Sequence, residues 1–227
     1  MKKILIGFYL LVIVGIFICI SNSDIFGSEN SKAVAAGEKI YTENCLSCHG
    51  ETGKGEAANV GTALNNQHFL SSVSDKDLYN YVKYGRENTA MPAYGPRFSE
   101  TELKNLVAFM RDWQTKEIEF EAPVTVSGDP VHGMEQYNLY CLNCHGDAGE
   151  GKPKMGTVLS NPQYLKYTTD KQIWIAAAYG REDTRMGPSL KGLEGARQLS
   201  RADIADIVSY IRTLKPKDQP QNDYLEP

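Results

Sequence analysis

The chain contains two segments of the form Cys-x-x-Cys-His, whose residue types and spacing suit the binding of a metal-containing group. The segments are Cys45-Leu-Ser-Cys48-His49 and Cys141-Leu-Asn-Cys144-His145. Thiols two residues apart lie about one helical turn from each other, so both can bond to the vinyl groups of one porphyrin while the adjacent imidazole faces its iron. Two such pairs could instead form disulfides or a zinc site with four cysteine ligands. Because His-Gly follows both pairs, we predict that each segment attaches one haem c covalently.

The two segments belong to an internal repeat. Residues 37–50 match residues 133–146, and residues 84–91 match residues 179–186. An insertion at residues 190–196 lengthens the second copy. A repeat of this size, with one chemical motif in each copy, predicts two domains in tandem.

The sequence between and around the copies sets the expected domain boundaries. The connecting stretch contains acidic residues, Pro123 and Gly128 without a helical period, which is typical of an extended linker. The predicted boundaries are residues 1–23 for a signal anchor or signal peptide, 33–115 for domain 1, 116–130 for the linker, 131–215 for domain 2 and 216–227 for a polar tail.

Hydrophobic periodicity within each copy predicts helices. Leu78, Tyr81 and Val82 are spaced as on one face of a helix over residues 75–84. Ser99, followed three residues later by Glu102, is a capping box that opens a second amphipathic helix. Residues 200–214 repeat this design, and no strand-like alternation of any length occurs. The predicted fold class is all-α, with small, loop-rich domains.

The amino-terminal segment indicates export. Lys2 and Lys3 precede an uncharged apolar run at residues 4–20, so the remainder of the chain should lie on the extracytoplasmic, periplasmic side. A helix over this run would be about 25 Å long, slightly short of a bilayer core of about 30 Å. A cleaved signal peptide is the alternative, but we favour a single retained transmembrane anchor because the run exceeds a usual signal core.

With these features, each copy resembles a class I cytochrome c domain, and the whole chain resembles a membrane-anchored dihaem cytochrome c. The resemblance rests on the Gly and Tyr that precede each first cysteine, the Gly-rich loop after the histidine, a downstream methionine and a final amphipathic helix. The family's first and last helices cross at that glycine. Gly37 and Tyr41 should therefore contact the helix around Phe109. In the second copy, Gly133 and Tyr137 should make the same contact with the helix around Tyr210.

A six-coordinate haem iron needs a second axial ligand besides histidine. A methionine thioether raises the reduction potential relative to a second histidine. Of the six methionines in the chain, only Met91 and Met186 align with each other across the repeat. We therefore predict the axial pairs His49/Met91 and His145/Met186. The second copy departs from the family's Met-Pro pattern, because Gly187 follows its methionine, so its loop could have a different shape.

Other residues near the motifs could support the haems. A metal-bound histidine normally donates its other N–H to an acceptor, and the family often uses a proline carbonyl. Here Thr62 and Thr157 occupy the corresponding positions, and their carbonyls could serve equally. Arg86 and Arg181 recur in Tyr-Gly-Arg and could bond a haem propionate; the alternative for both is a solvated helix end.

Two haems with filled axial positions leave no open iron, which predicts an electron carrier in a respiratory or photosynthetic chain rather than an enzyme. The expected partners are a quinol-oxidising complex, a soluble cytochrome or a terminal oxidase, with the chain as a subunit or partner of a cytochrome bc-type complex or oxidase. The formal net charge of −4 argues against nucleic acid as a partner. The alternative is a dihaem enzyme of the peroxidase or thiosulfate-oxidising type. It would need an unusual iron ligand, such as His68 or His132, neither of which is repeated.

Overall fold

The computed structural model describes residues 29–55 and 61–216. The anchor expected at residues 1–23 lies outside the described residues, as does the tail beyond residue 216. Among the described helices, none combines the length and the apolar character that crossing a membrane requires.

The described residues fold into helices joined by loops, as predicted. Isolated bridges join Lys152 to Gly156 and Leu190 to Leu199, and the described ranges contain no longer strand. The helices are α1 (described from 29 to 44), α2 (Leu46–His49), α3 (Gln67–Ser72), α4 (Asp75–Tyr84), α5 (Glu100–Asp112), α6 (Pro130–Tyr140), α7 (Leu142–His145), α8 (Pro162–Tyr167), α9 (Asp170–Tyr179) and α10 (Arg201–Thr213).

Capping boxes open the last helix of each copy. The Ser99 hydroxyl accepts a hydrogen bond from the backbone N–H of Glu102, and the Glu102 carboxylate accepts one from the Ser99 N–H at 2.8 Å. Ser200 and Asp203 make the same pair of bonds at the start of α10. Each box satisfies backbone N–H groups that the first helical turn leaves unpaired. Both predicted helix starts are therefore confirmed.

Helices α1 and α5 cross in close contact. A Cβ atom added to Gly37 would lie 2.0 Å from the backbone oxygen of Asn105, so only glycine fits at this crossing. The ring of Tyr41 lies one turn further along α1, with its centroid 5.4 Å from that of Phe109. The predicted contact is confirmed, and it fixes the end of α1 from which Cys45 follows.

Helices α6 and α10 repeat this crossing in the second copy. A Cβ atom on Gly133 would lie 2.0 Å from the backbone oxygen of Asp206. The rings of Tyr137 and Tyr210 have centroids 5.2 Å apart, which confirms the second predicted contact.

Two separate hydrophobic clusters fill the two copies. The first contains the buried faces of α1, α4 and α5, and the second contains those of α6, α9 and α10. Trp174 is completely buried in the second cluster. Each crossing thus belongs to its own core, and each core positions one Cys-x-x-Cys-His segment.

Candidate haem sites

The first Cys-x-x-Cys-His segment opens onto an apolar cleft of about 430 Å³, part of which is open to solvent. His49 and Met91, the predicted axial pair, both contribute to its wall. Met110 also lines it, although the repeat does not mark that residue as a ligand. The lining consists of Tyr41, Cys45, His49, Leu64, Phe69, Leu78, Tyr81, Val82, Met91, Leu106 and Met110.

The imidazole of His49 is held by the loop that follows it. Its Nδ1 lies 2.9 Å from the carbonyl oxygen of Thr62, which leaves Nε2 for a metal. The loop approaches so closely that a Cβ atom on Gly61 would lie 2.7 Å from this Nδ1. Burial lowers the pKa of His49, against the opposing effect of the Thr62 carbonyl. A neutral imidazole with one free ring nitrogen is the form that binds iron.

His145 has the same arrangement in the second copy. Its Nδ1 lies 2.9 Å from the Thr157 carbonyl, and Gly156 permits the same close approach of the loop. Burial again lowers the pKa of the histidine, against the effect of the Thr157 carbonyl. The expectation that a threonine carbonyl replaces the family's proline carbonyl is confirmed in both copies.

The four cysteines of the two segments are free thiols in this structure. Burial raises the pKa of Cys45 to about 11, and the neighbouring Cys48 adds to the rise. Within the described ranges, the one cluster of three side chains able to hold a metal ion contains His132 and two aspartates, and no cysteine.

The loops that carry Met91 and Met186 have the same backbone bonds. The Arg86 N–H donates to the Met91 carbonyl at 2.8 Å, and the Met91 N–H donates to the Thr89 hydroxyl at 3.1 Å. The two equivalent bonds of Met186 are 2.7 and 3.1 Å long. Gly187 therefore leaves the chain around the second methionine unchanged, and the copies diverge only after it.

The two copies use different side chains to bond the backbone just before the first cysteine: a tyrosine in the first copy and an arginine in the second. In the first copy, the Tyr94 hydroxyl donates to the carbonyl of Asn44 at 3.0 Å. Tyr140 occupies the position of Asn44 in the second copy, and its carbonyl accepts a bond from Arg197 Nη1 at 3.3 Å. Ser189 stands where the repeat places Tyr94, and Arg197 follows the insertion that the first copy lacks.

Arg197 also contacts the loop after Met186. Its Nη2 donates to the carbonyl of Gly187 at 2.6 Å, so one guanidinium joins that loop to the end of α6. This residue was not singled out from the sequence. The one signal was the insertion itself, which marked where the second copy would differ.

Arg86 and Arg181 lie between the two copies. The guanidinium of Arg86 is 5.1 Å from the centroid of the Tyr164 ring and donates to the Thr157 hydroxyl at 3.0 Å. That of Arg181 is 5.1 Å from the centroid of the Phe69 ring. Burial lowers the pKa of both guanidinium groups, that of Arg181 to about 10. Neither takes part in an ion pair with any described residue.

The contact between the copies has approximate two-fold symmetry. The amide of Asn66 donates to the Glu182 carbonyl at 2.6 Å, and its repeat equivalent Asn161 donates to the Glu87 carbonyl at 2.8 Å. The two asparagines are almost completely buried. This surface, made by α3, α4 and the Arg86 turn against their equivalents, is called the interdomain interface below.

The two rival histidines lie away from the described cleft. His68 is in the interdomain interface, with its Nδ1 3.2 Å from the Gly180 carbonyl. His132 is on α6, with its Nδ1 2.8 Å from a carboxylate oxygen of Asp206.

Comparison with known proteins supports this organisation. Residues 32–110 match the family model of cytochrome c oxidase, cbb3-type, subunit III, and residues 131–215 match that of cytochrome c. The chain therefore belongs to the cytochrome c family and carries two of its domains in tandem. Such domains imply two covalently bound haem c groups, each with one iron.

The relatives include subunits of larger complexes. The cbb3-type cytochrome c oxidase subunit FixP of Azorhizobium caulinodans is 32% identical over 81 residues, which cover 36% of this chain and 27% of the relative. The cytochrome bc1 complex cytochrome c subunit of Mycobacterium leprae is 25% identical over 211 residues, covering 85% of this chain and 65% of the relative. The chain thus spans about a quarter of FixP and less than two thirds of the bc1 subunit.

A solved structure shares the fold. It is the Kuenenia stuttgartiensis reducing HAO-like protein complex, with a TM-score of 0.50, 18% sequence identity, and coverage of 80% of this chain and 96% of that one.

The residues of the two sites fit a haem c. Each site offers two thiols and an imidazole whose Nδ1 is engaged and whose Nε2 is left for iron. The first cleft is lined mainly by apolar side chains, as a porphyrin requires. The guanidinium groups of Arg86 and Arg181 have no carboxylate partner among the described residues, and a haem brings two propionates.

Proposed function

We propose that this protein carries single electrons through two haem c groups with His/Met axial ligation. His49 and Met91 would bind the first iron, and His145 and Met186 the second. Thioether bonds would come from Cys45, Cys48, Cys141 and Cys144. The observation that carries the proposal is the cleft in which His49, Met91 and Cys45 meet, with His49 held by a backbone carbonyl.

Residues of the chain itself favour electron transfer over bond chemistry at each site. When bound, haem c supplies a one-electron ferric/ferrous couple. The Thr62 and Thr157 carbonyls fix the tautomer and orientation of the two ligating histidines, so little rearrangement accompanies a change in charge. Apolar side chains form most of the wall of the first site. Two protein ligands per iron leave no position for a substrate, which favours electron transfer over bond chemistry.

Arg86 and Arg181 are proposed to bind the propionates. A half-buried cation without an anionic partner is costly, and a propionate offers the missing charge with bidentate geometry. Both guanidinium groups lie in the interdomain interface.

We also propose a setting and a domain plan. The cbb3-type and bc1 relatives support a role as a subunit or direct partner of a cbb3-type oxidase or a cytochrome bc-type complex. The proposed domains are residues 33–115 and 131–215, joined by the linker at 116–130. The apolar run at residues 4–20 supports a transmembrane anchor with the haem domains on the periplasmic side.

A redox titration with carbon monoxide tests the ligation. We expect two one-electron steps at positive potential and no spectral change on adding the gas to the reduced holoprotein. A haem that binds carbon monoxide would refute His/Met ligation at that site and favour the enzymatic alternative.

Two methionines of the first cleft provide a matched pair of variants. Met91→Ala should open the first iron to carbon monoxide, whereas Met110→Leu should not, because only Met91 is proposed as a ligand. The reverse pattern would show that Met110 is the ligand and that the repeat alignment misled the assignment.

A further inference from the structure

The two sites differ in charge at one equivalent position. In each copy, the backbone carbonyl just before the first cysteine accepts a side-chain hydrogen bond. The donor is the neutral hydroxyl of Tyr94 in the first copy and the guanidinium of Arg197 in the second. Both donors therefore lie beside the cysteine that follows this carbonyl.

Other cations near the sites do not cancel this difference. Arg86 and Arg181 are repeat equivalents, so each copy supplies one. Arg97 lies 5.4 Å from the centroid of the Tyr94 ring, but it is exposed to solvent, which screens its charge. Arg197 is half-buried and therefore less screened.

An anionic side chain, Glu150, lies on the loop that follows His145. Glu150 approaches Gly146, and its carboxylate accepts a bond from the Ala148 N–H at 3.0 Å. Arg197 contacts the second site at two points, because it donates to the carbonyl of Tyr140, next to Cys141, and to that of Gly187, next to Met186. Arg197 therefore places a positive charge beside both the first cysteine and the methionine of the second site.

We propose that Arg197 makes the second haem the higher-potential site and so directs electrons from domain 1 to domain 2. The inference rests on the proposed His145/Met186 ligation. A nearby fixed positive charge stabilises the ferrous form, which carries one positive charge fewer than the ferric form. The transfer would take one electron from the iron held by His49 and Met91, leaving it ferric, to the iron held by His145 and Met186, making it ferrous. No proton or atom moves.

Arg197 could also act mechanically, because it joins the Gly187 carbonyl to the end of α6. A clamp and a charge predict different effects of substitution. Arg197→Gln keeps amide donors but removes the charge. Arg197→Lys keeps the charge but loses the fork that reaches two carbonyls.

The test is a spectroelectrochemical titration of the full holoprotein and these variants. Met186→His identifies the second haem as the step whose potential falls. Arg197→Gln should lower that step so that the electron distribution shifts toward the first haem about tenfold, which is about 59 mV for a one-electron couple. Arg197→Lys should retain most of the wild-type potential. Arg97→Gln, the matched control in the first copy, should change neither step.

Three results would overturn the proposal. The first is that Met186→His lowers the step that has the lower potential in the wild-type protein, because the second haem would then not be the higher-potential site. The second is an unchanged potential in Arg197→Gln. The third is an equal fall in both Arg197 variants with loss of the methionine-to-iron charge-transfer band, which would show a clamp alone. Failure of the ligation proposal is distinct, because that band would then be absent from the second haem of the wild-type protein.

Discussion

The crossing of α6 and α10 allows a quantitative test of how the second site is positioned. Gly133→Ala would place a Cβ atom 2.0 Å from the Asp206 carbonyl oxygen and 2.4 Å from its carbon, whereas real Cβ contacts are essentially never shorter than 3.0 Å. The two helices would have to move apart by about 1 Å, and backbone atoms cannot rotate away as a flexible side chain could.

The expected cost follows from two opposing terms. Overpacking against backbone atoms should cost about 3 kcal/mol, the upper end of the usual range. Alanine is favoured over glycine inside a helix by about 1 kcal/mol. The net loss of about 2 kcal/mol is a large fraction of a typical stability of about 5–15 kcal/mol.

Urea unfolding of the holoprotein, followed by circular dichroism, measures this loss. Gly187→Ala is the control, because its Cβ would meet only Arg197 Nη2, at 4.0 Å. Since Cys141 directly follows α6, Gly133→Ala should also shift the potential of the second haem and leave the first unchanged. A Gly133→Ala protein as stable as the wild type would refute the close crossing.

Two further predictions concern electrostatics and the interdomain interface. The hydrogen bond to Asp206 raises the pKa of His132, so the pair stabilises the fold below the ordinary histidine pKa, and this contribution disappears as the pH rises through the folded-state value. His132→Gln should therefore lower the thermal midpoint at pH 5.5 and have little effect at pH 9; an equal effect at both would contradict the assignment. Asn66→Asp keeps the oxygen that caps α3 but loses the N–H donated to the Glu182 carbonyl, which should cost about 1–3 kcal/mol in urea unfolding. No change in stability would show that the interdomain bond is not formed in solution.

Much of each domain could be predicted because its determinants are local in sequence. The Ser99 capping box marks its own helix start, because Glu102 lies three residues further on. The repeat places Met91 and Met186 in equivalent loops, and the structure gives them the same backbone bonds. These features follow from neighbouring residues or from comparing the copies.

The relation between the domains could not be predicted in this way. Asn66 caps α3, and nothing local in the sequence shows that its amide also reaches Glu182 in the other copy. Arg197 lies far along the chain from Tyr140, and its target depends on how the insertion closes in space. Such contacts depend on which surfaces meet, a property that periodicity and spacing do not encode.

Because the two domains belong to one chain, even a weak interdomain interface can stay closed most of the time. Two domains joined by a short segment of the same chain meet at an effective concentration of about 1 mM. An interface with a dissociation constant of only about 0.1 mM, or about −5.5 kcal/mol, would then keep about nine in ten molecules closed. Each buried asparagine bond supplies a sizeable part of so small a total, and the duplication provides it twice. Loss of either bond would let the halves separate often, and the rate of transfer between the haems would then follow the fraction of time that the molecule spends closed.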